Sequence, residues 1–485
     1  MALQASDPVL ILDIGSSSVR AAVLLGDARE TNLEGIKLPY RVRHSPEGGA
    51  EIDPHQLLHL VLTAISVVLG QAQRAQVEIK AVAMASLVGS LLGTDEAGEP
   101  LTPIYIYADR RGAELKTRIS DPDDYLQRTG CRPHPSYAPI RLMWLAQTQP
   151  DVFKGVQRWF QLGDWILFQL TGKLRISLSA ASWSGLLNRY QNHWDAAALA
   201  LVGVKPEALS EVSDHPVQGL LPIHEDRLNG LREALWFPAV GDGVASNIGS
   251  ACARSDRVAI ALGTSGALRV IVKGRPTVPP GLFAYCVDSE RSLIGGALND
   301  VGSMYTWLSQ VLNLPPEGMA EAEALPPDAH GLTILPFLTG ERAPGWQGDA
   351  RAVFAGMTPD TTPAQIMRAG LEAVALWYAR IWKQMREGLP ELARVELGIA
   401  SGAPTNTPLW VRILADALNL SIIRAEPEAT LRGAVLLASG VEGGAMTSAH
   451  LRFDPTPEAH ARYQEAGARH DFLYRQLYPS SESMV

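Results

Sequence analysis

"VLILDIGSSSVRAAVL", residues 9–24, sets one aspartate, a Gly-Ser-Ser-Ser turn and an arginine between two apolar runs. The flanks, Val9 to Leu12 and Val19 to Leu25, are short and rich in β-branched residues, which predicts two strands joined by a tight turn. Gly15 supplies backbone freedom there, and Ser16, Ser17 and Ser18 place hydroxyls beside exposed N–H groups, a combination that suits an anion. Taken alone, the same residues also read as an ordinary polar hairpin tip. No helix opening with Gly-Lys-Ser/Thr follows, so the turn is not a Walker-type phosphate loop.

A second copy of the device shifts the balance. "RVAIALGTSGALRVIV", residues 257–272, has a strand, then Gly263-Thr264-Ser265-Gly266, then another strand, and Arg269 echoes Arg20 just after the turn. Two phosphate-sized turns about half a chain apart point to a duplicated domain. The copies would face each other across a cleft that a polyphosphate could bridge.

At 485 residues the chain exceeds what one hydrophobic core organises, and two large domains fit its length. Apolar residues make up 46% and charged residues 19%, the balance of a soluble globular protein. A net charge of −9, with no Lys/Arg block, argues against a nucleic-acid surface. It does not exclude a phosphorylated ligand, because turns and helix ends bind phosphate through N–H groups. Cys131, Cys252 and Cys286 are too few and too scattered for a disulfide framework or a cysteine-based zinc site, so a reducing, cytoplasmic setting is expected. The first residues lack a targeting pattern, and no uninterrupted apolar run approaches bilayer length, so no membrane partner is expected.

Along the chain, Asp53-Pro54 opens a helical pattern, "IKAVAMAS" reads as a buried strand, and "GDWILFQLTG" reads as a short helix closed by Gly172. Strand, strand, helix, strand is the order of an α/β domain. The second half repeats it with "SLIGGAL", a helix over 301–312, "GLTILPFL", a long amphipathic helix over 363–386, and "RVELGIA". In "SGAPTNTPLWVRILADALN" Thr407 is the expected cap and Pro408 the first-turn residue of a helix, which makes this loop a candidate nucleotide seat. The boundary is expected near 240–255, dividing the chain into 1–245 and 246–485.

The stretches "DIGSSSVR", "YADRRG", "GDGVASNIGS", "LGTSGALR", "LPFLTGERAPGW", "FAGM" and "SGAPTNTPLWVRILADAL", in this order, resemble the FGGY family of carbohydrate kinases over nearly the whole chain. The resemblance implies an α/β fold of two actin-like (ribonuclease H-like) domains flanking a central cleft, with ATP and Mg²⁺ as cofactors. A carboxylate flanked by glycines, Asp242, can accept the proton of an attacking sugar hydroxyl, and the family's general base matches it; a plain Asp-Gly turn is the competing account. Asp13 matches the aspartate that holds Mg²⁺ through water, and a single carboxylate suffices for that ion. Gly15, Ser16, Ser17, Gly263, Thr264 and Ser265 match the phosphate turns. Arg20 would offset charge on the transferring phosphoryl group or form a salt bridge at the strand start.

On the adenine side, Gly402, Ala403 and Asn406 match the family loop, while Ser401 stands where many relatives carry glycine. On the sugar side, Asp109 and Arg111 match the family's Asp-x-Arg, with Tyr107 in place of the usual tryptophan. The gluconate kinases of the family give the best local match, and a sugar acid would also use Arg111, Arg132 or His134. Those relatives place a histidine where this chain has Gly89, so a pentulose or polyol kinase is the alternative, favoured if Gly89 enlarges the pocket. An alternative of another class is a non-catalytic actin-like ATP-binding module, which would not need Asp109, Arg111 and Asp242 together. The expected partner is a small sugar or sugar acid, and a homodimer is compatible with the sequence. His55 and His59 are read as a solvated pair rather than zinc ligands, Glu341 and Arg342 as a cleft brace or an internal ion pair, and Trp377 and Trp382 as core.

Overall fold

The computed structural model describes residues 3–314, 317–441 and 451–479. Its first sheet is built around the opening stretch. β1 (Pro8–Ile14) and β2 (Ser18–Leu25) form an antiparallel hairpin that sets Asp13 opposite Arg20, and β3 (Ile36–Pro39) extends it. Asp53 caps α1 (Pro54–Arg74) by accepting from the Gln56 N–H at 3.1 Å. Among the described residues α1 is the one helix long and apolar enough to cross a membrane, yet Leu57, Val61, Ile65 and Val68 are buried in the core under the sheet. Burying a side chain of that size is worth about 1.5–3 kcal/mol, which is reason enough for the stripe. β4 (Ala81–Ser86) lies parallel to β1. α2 (Leu162–Thr171) ends at Gly172, whose φ of 69° is left-handed. β5 (Leu235–Trp236) and β6 (Val240–Gly241) both pair with β4, giving a six-stranded sheet of order β5-β4-β1-β2-β3 with β6 on β4. α3 (Asp242–Gly249) begins directly at the end of β6.

The second sheet repeats the plan. β7 (Arg257–Leu262) and β8 (Gly266–Lys273) form its hairpin, followed by β9 (Phe283–Cys286) and β10 (Arg291–Leu298). α4 (Pro363–Gly388) opens on a reciprocal cap between Thr362 and Gln365 and buries Trp377 and Trp382. β11 (Leu397–Ser401), α5 (Pro408–Leu418), β12 (Ser421–Arg424), α6 (Ala429–Ser439), β13 (Arg452–Phe453) and α7 (Pro457–Leu477) complete the half. The seven strands run β9-β10-β8-β7-β11-β12-β13. In both sheets the first hairpin strand lies parallel to a later strand, β4 or β11, so both present a turn at a carboxyl edge, where open α/β sheets bind ligands.

Three details differ from the sequence reading. Thr407 precedes α5 but its side chain makes no capping bond, so Pro408 alone pre-sets the first turn. Ser401 is the last residue of β11, opposite Ala261, and the left-handed turn falls one residue later at Gly402, with φ of 102°. A division at 245/246 cuts α3, because Asp242 and its flanking glycines open a helix that runs on to Gly249. The two halves also share a core: Val9 and Ile11 of β1, Ile271 of β8, and Leu431 and Val435 of α6 belong to one buried cluster. α3 and α6 cross with their backbones in contact. A Cβ added at Gly249 would lie 1.8 Å from the Ala429 oxygen, and one at Gly433 would lie 1.8 Å from the Ala245 oxygen.

Candidate active site

Strand register brings the chemistry together. Asp13 on β1 lies beside Ala85 of β4, and Gly241 on β6 lies beside Ser86, so Asp13 and Asp242 flank the carboxyl end of one strand. In the second sheet Ala261 neighbours Ser401, which sets the Gly263 turn against the Gly402 loop. The first turn is closed by Gly15 N–H donating to the Ser18 oxygen at 3.1 Å, the second by Gly263 N–H donating to the Ser265 oxygen at 2.9 Å. Ser16, Ser17, Thr264 and Ser265 are exposed at these tips, whereas Ser18 is buried within β2. The Tyr40 hydroxyl braces the first turn by donating to the Gly15 oxygen.

Asp242 is the first residue of α3, and its Oδ1 accepts from the Gly243 N–H at 2.7 Å. A helix N-terminus favours a carboxylate. Burial opposes it and wins: the Asp242 pKa is pushed up to about 6, with the Arg269 cation pulling it down and the Asp13 charge adding to the rise. Such a value suits a group that must both take and release a proton near neutrality. Asp242 lines a cavity of about 220 Å³ with Arg269, Arg342, Tyr107, Trp183 and Tyr285. Gly89 and Ser136 also line it, as do Gly263 and Ser265 of the second turn, and Trp183 stacks on Tyr285 with ring centroids 3.6 Å apart.

Arg20 ion-pairs with Asp13 and with Glu428, the latter at 2.6 Å, which is the strand-start salt bridge the sequence offered as its other reading. Arg269 lies two residues further along its strand than Arg20. The second turn is one residue shorter, with Ile14 paired to Val19 but Leu262 to Gly266, so Arg20 corresponds to Ala267 and Arg269 to Ala22, and the two arginines share the face turned to the core common to both halves. Arg20 turns to Asp13, while Arg269 turns into the cavity.

Asp109, Arg111 and His134 do not line the cavity. Asp109 accepts from the Ala50 N–H at 3.1 Å and from Arg111, while Arg111 also reaches Glu51 at 2.8 Å and lies over the Trp144 ring at 4.5 Å. The pair thus ties the strand of Ala50 and Glu51 to the segment of Asp109 and Arg111. His134 is bound through Nδ1 to Ser136 and packs on Trp346; burial among Arg342, Arg110 and Arg141 drives its pKa down to about 3, so at neutral pH it offers no positive charge. Glu341 accepts from the Gly345 N–H at 2.8 Å and the Tyr474 hydroxyl at 2.6 Å and forms no ion pair with Arg342. Arg342 instead points to the cavity. The sequence signals for Arg269 and Arg342 were their places just after a phosphate turn and inside "GERAP", and that for Tyr107 its place in the sugar-side motif; Ser136 and Trp183 gave none as wall residues.

On the other side of the Gly263 turn, a Cβ at Gly402 would lie 1.9 Å from the Leu262 oxygen, so only glycine lets the two loops meet. Ala403 and Asn406 are exposed there, and Asn406 Oδ1 accepts from Arg424. His55 and His59 are exposed, as expected of a solvated pair.

Residues 8–249 match the N-terminal domain of the FGGY family of carbohydrate kinases, and residues 258–440 match its C-terminal domain. The chain belongs to this family. The kinase is 25% identical over 452 residues to the gluconokinase of Bacillus subtilis, covering 88% of this chain and 86% of that one. Its fold is that of the gluconate kinase of Lactobacillus acidophilus (TM-score 0.88, 24% identity, 99% and 100% of the chains). It is equally that of a ligand-bound xylulose kinase from the same organism (TM-score 0.89, 24% identity, 99% and 100%). The kinase therefore has the two-domain, actin-like sugar-kinase architecture over its whole length.

Proposed function

We propose that this kinase transfers the γ-phosphoryl group of ATP to a primary hydroxyl of a small sugar acid, gluconate in the first instance. The observation that carries the reading is Asp242: a carboxyl group with its pKa raised to about 6, in a cavity whose wall includes the Gly263 turn, beside the strand end that holds Asp13. The acceptor lies mainly on the N-terminal half, with its hydroxyl toward Asp242. The nucleotide lies mainly on the C-terminal half, with adenine at Gly402, Ala403 and Asn406 and the phosphates between the turns of Ser16, Ser17, Thr264 and Ser265. Asp242 removes the hydroxyl proton as the oxygen attacks in line, and closure of the halves keeps water from competing for the phosphoryl group.

The donor chemistry at Asp13 fits Mg²⁺. One carboxylate oxygen accepts from Arg20, and the other has no hydrogen-bond partner among the described residues, leaving a hard oxygen at the strand end. Bound there, Mg²⁺ supplies neutralisation of charge on the β- and γ-phosphate oxygens.

The alternative of a pentulose or polyol acceptor rested on Gly89 enlarging the pocket. Gly89 lines the cavity with φ of 67°, and a Cβ there would lie 2.8 Å from the Ser136 oxygen and 3.2 Å from Tyr107 Cβ, so a side chain at this point of the wall would collide with neighbouring chain. ADP release measured with gluconate, xylulose, ribulose and glycerol, and with no acceptor, tests the reading. Strong stimulation by gluconate is expected. Stimulation by a pentulose or glycerol alone overturns the substrate, and equal turnover with no acceptor overturns the transfer.

A further inference from the structure

Asp242 is the only acid that lines the cavity, whereas two guanidinium groups, Arg269 and Arg342, line it. Neither arginine has a hydrogen-bond or ion-pair partner among the described residues, and the Nε of each is sealed from solvent without an acceptor. This sets them apart from the ion-paired arginines nearby: Arg111 is held by Asp109 and Glu51, Arg20 by Asp13 and Glu428. A half-buried cation whose sealed N–H lacks an acceptor is costly, and two that repel one another are more so. The Asp242 charge bears on Arg269, while that of Arg342 bears on His134 and Tyr137. The cavity thus sets two guanidinium groups against one carboxylate, beside the stacked indole and phenol rings of Trp183 and Tyr285. Each guanidinium presents a planar fork of N–H donors that matches a carboxylate.

We infer that Arg269 and Arg342 hold the carboxylate of the acceptor between them and set the preference of this kinase for a sugar acid over a neutral acceptor of the same length. This rests on the reading of a sugar-acid kinase, and it assigns the discrimination to residues other than Asp109, Arg111 and His134.

The test compares gluconate with gluconamide, which keeps the hydroxyls and chain length and removes the charge. The quantity read is the ratio of kcat/KM for acid over amide, in which any effect on Asp242 cancels because both acceptors need the same base. Wild type is expected to favour the acid. Arg269→Met and Arg342→Met are each expected to lower the ratio by roughly 10–100-fold, as for loss of a charge-assisted hydrogen bond, with KM for ATP unchanged. Arg342→Lys should keep part of the preference. Equal losses for both acceptors would overturn the inference and place the arginines on the phosphoryl group or the fold; an unchanged ratio would overturn it as well. If a methionine variant does not fold, the wild-type ratio and the lysine variant decide, and an acid no better than the amide overturns the inference. Failure of the sugar-acid reading shows separately, in wild type, as phosphorylation of a neutral sugar and not of gluconate.

Discussion

Two fields compete at Asp242, and the outcome sets when the site works. The base must be ionised, so with its pKa raised to about 6 the rate should climb with pH through that value and level off above it. Because the Arg269 cation lowers this pKa, Arg269→Met should move the acid limb of the pH profile to higher pH, which initial rates from pH 5 to 8 would show. The same shift bears on stability. A carboxyl group whose folded pKa lies above its ordinary 3.8 contributes stability that is fully present below about 3.8 and is lost as pH rises through about 6. Asp242→Asn should therefore raise Tm at pH 7.5 more than at pH 4.5, by thermal denaturation at both. At this scale the sequence was readable where function is local: Asp13 and Asp242 stand out as polar residues at strand ends. It was not readable where the partner is distant. The "ADRRG" motif gives Asp109 and Arg111, but only Glu51 and Trp144, brought in from elsewhere, turn them into a tether and leave Arg269 and Arg342 in the wall.

Among the elements, the turns and the glycine crossing do the positioning. The hairpins were evident from apolar runs interrupted by Gly and hydroxyls, because a two-residue period and a tight turn are local properties. The common face of Arg20 and Arg269 was also present in the spacing once the shorter second turn is counted, since residues two apart lie on one side of a strand. The α3–α6 crossing was not evident, because a helical glycine has no signature until its neighbour is known. Gly433→Val should be strongly destabilising, by more than the roughly 1–3 kcal/mol of ordinary overpacking, since the colliding atom is the Ala245 backbone oxygen. Urea denaturation measures it. A loss under 1 kcal/mol would mean that the two helices slide apart freely.

Over the whole molecule, two sheets of related plan are joined by a shared core to which α3 and α6 contribute. α3 thus begins with Asp242 and ends where its backbone meets that of α6. The duplication and the cleft were legible from two turns half a chain apart; the exchange of α6 onto the first sheet was not, since an apolar helix does not say which sheet it covers. The central claim is that Asp242 takes the acceptor's proton during phosphoryl transfer. The most direct measurement is kcat of Asp242→Asn for ADP release with gluconate at saturating ATP. A fall of about 10²–10⁴-fold with KM for ATP retained is predicted; a kcat near that of wild type would contradict it.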